Sequence, residues 1–141
     1  MTQAARDILN EIFGYPEFRG HQEQVIATAV EGRVSLVLQP TGGGKSLCYQ
    51  ITALLNNGVT LVVSPLIALM HDQVIALEQL GVAAACLNSS LTRDEQRSVL
   101  ERLRDGRLRL LYVAPERLMQ ERTLEELKFC GVSLVAIDEA H

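Results

Sequence analysis

Pro40-Thr41-Gly42-Gly43-Gly44-Lys45-Ser46 is a run of residue types able to hold phosphate. Successive glycines let backbone N–H groups close around anionic oxygens. A helix starting at Lys45 would add its own free N–H groups and the positive end of its dipole. In such a loop Lys45 supplies charge for the outer phosphates and the Ser46 hydroxyl takes one position on Mg²⁺, while Thr41, Gly42, Gly43 and Gly44 form the cradle. The strict pattern places glycine six residues before the lysine, where this chain has Gln39. Pro40 and the glycines can still make the turn. The plain alternative is an ordinary glycine turn followed by a solvated lysine.

A second group of chemical residues is Asp138-Glu139-Ala140-His141, directly after the apolar run 133–137. Two carboxylates at the end of a strand suit a phosphoryl-transfer site: Asp138 for Mg²⁺, mostly through water, and Glu139 to orient or deprotonate an attacking water. Alone, the pair reads as two solvated charges. Beside a phosphate-binding turn it reads as the other half of one site. Ligands of open parallel sheets gather at the carboxyl ends of the strands, so Lys45 and Asp138 are expected in the same crevice.

These residues need elements to position them. Residues 35–38 suit a buried strand that Pro40 to Gly44 should end, and a helix follows from Lys45 to about residue 55. Strands are then expected at 60–64, 83–87, 108–113 and 133–137. Between them, helices are expected at 66–80, 93–104 and 115–129, the last broken near Glu121. Ahead of the turn, 4–13 reads as an amphipathic helix with Ile8, Leu9, Ile12 and Phe13 on one face, and 21–30 as a second helix. Alternating strands and helices give an α/β fold, with a mostly parallel sheet and helices on both faces. Residues 1–32 form an N-terminal helical segment and 33–141 the sheet-bearing part. No repeat or low-complexity tract divides them.

Composition narrows the possible partners. A chain of 141 residues with 48% hydrophobic content can build one core, and its formal charge of −4 gives no general basic field. Arg93, Arg97, Arg102, Arg104, Arg107 and Arg109 cluster, but Asp94, Glu95, Glu101 and Asp105 interleave with them. A solvated helix face is the expected reading over a binding stripe. Cys48, Cys86 and Cys130 have neither disulfide nor zinc-ligand spacing and suit buried thiols in a reducing compartment. The N-terminus has no apolar signal core and no stretch is long enough to span a membrane, so a soluble, cytoplasmic protein is expected.

With those motifs placed, residues from about 9 to 141 resemble the first RecA-type lobe of a superfamily 2 helicase of the RecQ family. Phe13-Gly-Tyr-Pro-Glu-Phe-Arg-Gly-His-Gln22 is similar to the segment that holds adenine in that family. Pro40 to Gln50 matches its phosphate-binding loop, a RecA-like P-loop NTPase feature. Val63-Ser-Pro-Leu-Ile-Ala-Leu-Met-His-Asp-Gln73, Leu87-Asn-Ser-Ser90 and Ala114-Pro-Glu-Arg-Leu118 resemble further first-lobe motifs, and Asp138-Glu-Ala-His141 its DEAH box. The resemblance implies ATP and Mg²⁺ as ligands, with Lys45 and Glu139 as catalytic groups and Ser46 and Asp138 on the metal. It implies that Gln22 pairs with adenine, with Tyr15 and Arg19 against the base or sugar. A carboxamide suits the N6 donor and N7 acceptor of adenine. Ser64, Asn88, Ser89 and Arg117 become candidate contacts to single-stranded or tailed duplex DNA. His71 is expected to be a surface helix residue.

The same resemblance implies an ATP-dependent 3′-to-5′ DNA helicase acting in repair and recombination, of which this chain is the nucleotide-binding lobe without its second RecA-like partner. The polypeptide alone is then expected to lack helicase activity. Two rival readings stand beside it. One is a non-catalytic nucleotide- or DNA-binding module. The other is a P-loop kinase of unrelated type, which needs a lid and acceptor site after the second strand. The strand at 133–137 is also expected to leave a bare apolar edge that promotes association.

Overall fold

A computed structural model describes residues 2–18, 26, 38–40, 45–55, 58–130 and 132–139. The chain begins with α1 (Thr2–Glu11) and continues through β1 (Leu38–Pro40), α2 (Lys45–Leu55), β2 (Val59–Val63), α3 (Ile67–Gln79) and β3 (Ala84–Leu87). It then forms α4 (Arg93–Arg104), β4 (Leu110–Val113), α5 (Pro115–Leu118), α6 (Glu121–Cys130) and β5 (Val132–Glu139). The helix expected at 21–30 lies outside the described residues, apart from Ile26, as do residues 35–37 of the first strand.

The five strands run parallel in the order β1-β5-β2-β4-β3. The order explains the layering. The steps β1 to β2 to β3 move in one direction across the sheet, and β3 to β4 to β5 move back. Parallel crossovers are right-handed, so opposite directions put their helices on opposite faces. One face accordingly buries Tyr49 of α2 and Met70, Val74 and Leu77 of α3 against Val62, Leu110 and Tyr112. The other buries Val99 and Leu103 of α4 and Leu127 of α6 against Leu61, Leu111 and Val113. Strand periodicity places Leu110 and Tyr112 on one side and Leu111 and Val113 on the other. Both faces are covered, so β2, β3 and β4 are buried at every position, as expected for apolar strands of a parallel sheet. Burying each such leucine contributes about 1.5–3 kcal/mol.

The amphipathic helix α1 lays Ala5 and Leu9 on Cys48 and Ile51 of α2, with Ile26, Phe13 and Phe18 in the same cluster. The N-terminal segment therefore rests on the helix that begins at Lys45. Gly14, at φ +76°, turns the chain out of α1, a conformation that favours glycine.

Two expectations about the strands need correction. β1 does not stop before Pro40 but pairs through it with Glu139. Among the described residues β1 has β5 as its neighbour on one side only. Proline, lacking an N–H, is tolerated at such an edge. Nor is an apolar edge left bare at 133–137: β5 lies inside the sheet, between β1 and β2.

Candidate functional site

Every described element that carries a candidate residue brings it to the carboxyl edge of the sheet. In the register of β1 with β5, Gln39 is opposite Asp138 and Pro40 opposite Glu139. Neighbouring strands are about 4.8 Å apart. The entrance to the glycine turn is thus one strand away from the acidic pair. Lys45 and Ser46 are the first two residues of α2, the helix that leaves that turn. These are backbone positions, and they bring together the two motifs, nearly one hundred residues apart in sequence, that a phosphoryl-transfer site needs. Thr41, Gly42, Gly43 and Gly44 lie outside the described residues, as do Arg19, Gln22 and His141.

Tyr15 is described and is 52% exposed. It follows Gly14 in the turn out of α1, where its N–H donates to Leu9 O at 3.1 Å. Phe13 and Phe18 on either side of it pack into the cluster on α2. The segment is held by its flanking aromatics, and the Tyr15 ring is left accessible for stacking on a flat ligand.

The other half of the carboxyl edge holds the four candidates for nucleic-acid contact. Ser64 follows β2, Asn88 and Ser89 follow β3, and Arg117 belongs to α5, just after β4. The strand ends are tied together: Ser64 N–H donates to Val113 O at 3.1 Å and Ala114 N–H to Leu87 O at 3.2 Å. Their side chains differ in availability. Ser64 is buried, and its Oγ accepts from the Leu66 N–H at 3.3 Å, a turn-forming contact that leads into α3. Asn88 is fully buried. Its Oδ1 accepts from the Ser90 N–H at 2.8 Å and from the Ser90 hydroxyl, and its Nδ2 has no hydrogen-bond partner. Ser89 is exposed and Arg117 half-buried, with an unpartnered Nε.

The loop between β3 and α4 is braced from two directions. Thr92 caps α4: its Oγ1 accepts from the Glu95 N–H at 3.2 Å, and Glu95 Oε1 accepts from the Thr92 N–H at 2.9 Å. The Thr92 backbone N–H, followed by its side chain, holds the Glu95 carboxyl below the usual glutamate range. From the other side, His71 on α3 brings Nε2 to 3.4 Å from Ser90 Oγ and Nδ1 to 3.8 Å from Cys86 Sγ. His71 is on a helix and not buried, as expected, and it also braces this loop. The motif-like run 63–73 contains it without revealing this contact, because its partners are distant in sequence. Burial pushes the Cys86 thiol up, which keeps it neutral and leaves it a packing residue. Cys48 is likewise buried.

A further polar set lies between the helix that begins at Lys45 and its neighbours. Tyr49 OH donates to Gln73 Oε1 at 2.8 Å, and Gln50 Nε2 donates to Tyr112 OH at 3.2 Å. These bonds tie α2 to α3 and to β4. Between β2 and α3 only Ser64, Pro65 and Leu66 intervene. That turn has no room for the lid and acceptor site a small-molecule kinase requires at this point. Among the described residues no helix is long and apolar enough to cross a membrane.

The sequence pattern of the DEAD/DEAH box helicases matches residues 19–141. Over its whole length the chain is 52% identical to the ATP-dependent DNA helicase RecQ of Pasteurella multocida, 22% of which is covered. It is 49% identical to the ATP-dependent DNA helicase RecQ of Haemophilus influenzae, with 97% of the chain and 22% of the relative aligned. For the ATP-dependent DNA helicase RecQ of Bacillus subtilis, the identity is 46% over all of the chain and 24% of the relative. The chain thus spans between a fifth and a quarter of the length of these curated relatives.

Proposed function

The chain belongs to the DEAD/DEAH box helicase family, and from that premise we propose that it is the ATP-binding lobe of a RecQ-type ATP-dependent DNA helicase moving 3′ to 5′. One observation carries the reading. The register Gln39↔Asp138 and Pro40↔Glu139 brings the residues that lead into the glycine run beside the acidic pair at one end of the sheet, which supports a shared site.

The roles follow from residue chemistry at those positions. Free N–H groups at the start of α2, with those of Thr41 to Gly44, bind the phosphate oxygens, and Lys45 balances the charge of the outer phosphates. Ser46 and Asp138 are oxygen donors, the kind Mg²⁺ prefers, and one or two protein oxygens suffice because the ion keeps several waters. Bound there, the ion would neutralise charge that develops on the phosphates. Glu139 orients the water that attacks the terminal phosphate and takes up its proton. Gln22 pairs with adenine, with Tyr15 and Arg19 beside it. Ser89, Arg117, Asn88 and Ser64 form the DNA half, through side chains or through the backbone they brace. Phosphate contacts of this type hold a strand without reading its sequence, which suits a motor.

The test is Lys45→Ala. ATP binding, followed with a fluorescent ATP analogue, is expected to be lost while the far-ultraviolet circular dichroism spectrum is retained, since only a charge at a helix start is removed. Undiminished nucleotide binding by that variant would reject the site.

A further inference from the structure

We infer that the groove between α4 and α5–α6 carries a phosphodiester strand, extending the DNA track past the strand ends onto the outer helical face. This rests on the helicase reading and adds a site to it. The groove is a cavity of about 630 Å³ lined by Arg93, Arg97 and Arg104 of α4, Arg117 of α5 and Thr123 of α6, with Glu101 and Glu126 also on its walls.

Charge is distributed unevenly along it. Arg104 forms a two-pronged ion pair with Glu126, Nε to Oε2 at 2.9 Å and Nη2 to Oε1, which ties α4 to α6. Arg93 and Arg97 are exposed, and among the described residues neither they nor Arg117 form an ion pair. Three guanidinium groups thus line the same cavity with Glu101 as the carboxylate left to oppose them. Arginine only donates hydrogen bonds, so the ligand that suits this wall is rich in acceptors and negatively charged.

A second observation points the same way. Thr123 is 2% exposed and its Oγ1 has no hydrogen-bond partner, and the buried Nε of Arg117 has none either. Buried polar atoms without partners are rare in folded proteins and call for one. Both residues line this cavity. Each leaves an unmet donor at this wall, which an acceptor-rich ligand suits.

The form of the groove favours a strand. Arg93 and Arg97 are one helical turn apart, about 6 Å along the axis, which offers separate donors to successive phosphates. α4 starts directly after the loop that carries Asn88 and Ser89, so the groove opens beside the proposed DNA contacts, and Arg117 belongs to both. The sequence alone made these arginines look like an ordinary solvated face, because the residues opposite them come from a segment twenty or more positions further on.

The test is binding of fluorescein-labelled oligo-dT and oligo-dA to the 141-residue chain, followed by anisotropy between about 50 and 200 mM salt. Arg93→Gln/Arg97→Gln changes two exposed residues, so the fold is expected to persist. The slope of log affinity against log salt should fall by about 1.4, near 0.7 for each single-strand phosphate that an arginine no longer neutralises, and equally for both oligonucleotides. Thr123→Val should weaken binding with an unchanged slope, since a neutral hydroxyl displaces no counterion. If wild type binds the oligonucleotides and both variants match it in affinity and slope, the groove is refuted and the helicase reading stands. If an oligo-glutamate peptide binds wild type, loses affinity in the double variant, and DNA binding does not change, the groove serves acidic protein segments and the inference is overturned. Absence of any oligonucleotide binding by wild type would count against the helicase reading itself, and the groove with it.

Discussion

Gln22 shows what a single residue type can decide. A carboxamide presents one donor and one acceptor side by side, matching N7 and N6 of adenine, whereas guanine offers two acceptors at the same edge. Gln22→Ala is therefore expected to weaken ATP by about 1–3 kcal/mol and to leave GTP nearly unaffected. Competition of ATP against GTP for a fluorescent nucleotide would measure it, and equal losses would make Gln22 a structural residue. Other residues were less legible. Ser64 sits in a motif-like run, yet its hydroxyl accepts from the Leu66 amide, and a sequence does not distinguish a hydroxyl that makes a turn from one that meets a phosphate. Pro40 looked like the end of a strand because it lacks an N–H, but that deficit matters only where a neighbouring strand needs the donor. On the described sheet β1 has one neighbour, β5. Arg117 was singled out only through the family resemblance and Thr123 not at all, since an orphaned polar atom is a property of packing and not of spacing.

At the level of elements, the bounds of α4 were readable because its signals are local. Thr92 and Glu95 form a capping box, Asp94 and Glu95 occupy the first turn and Arg102 and Arg104 the last, an order that complements the helix dipole. α5 and α6 were also legible as one helical stretch broken near Glu121, the residue at which α6 begins. The cap fixes where the Asn88–Thr92 loop meets the helix and so where Ser89, a proposed DNA contact, stands. Thr92→Ala is expected to lower stability by about 1 kcal/mol, measured by urea unfolding. The pH dependence has a definite sign. The Glu95 carboxyl is held below its ordinary range by the Thr92 N–H. Its contribution is complete above the glutamate value of the unfolded chain and fades as pH falls through the lower folded value. Glu95→Gln should thus show less loss of stability than wild type on acidification through that window. Equal acid sensitivity of the two proteins would mean that the box seen in the structure contributes nothing in solution.

Across the whole molecule, strand order is what the sequence left hidden. Alternating elements implied a parallel sheet with helices on both faces, and that is the architecture found. They did not reveal that β5 enters between β1 and β2, because order depends on contacts between segments far apart in the chain. That insertion places Asp138 and Glu139 beside Gln39 and Pro40, and on the proposed reading it divides the carboxyl edge into a nucleotide half at β1 and β5 and a DNA half at β2, β4 and β3. It also shields β5 on both sides. Of the described outer strands β3 has four residues, and an edge that short offers little template for association. The 141-residue polypeptide by itself is therefore expected to scatter light as a monomer.

Its catalytic behaviour should be limited for a different reason. On the proposed reading this lobe supplies the phosphate cradle, the metal-binding oxygens and the water-orienting carboxylate, but no second body for the lobe to close on. Translocation needs such closure. An arginine finger delivered across a lobe interface typically contributes about 10³–10⁵ in rate. ATP turnover by the polypeptide alone should fall below that of the Pasteurella multocida RecQ by about that factor, with little stimulation by single-stranded DNA. Phosphate release would be measured with and without oligo-dT, with light scattering on the same sample. DNA-stimulated turnover by a monomer at the relative's rate would show that this sheet needs no second lobe, and would move the origin of the rate into this lobe itself.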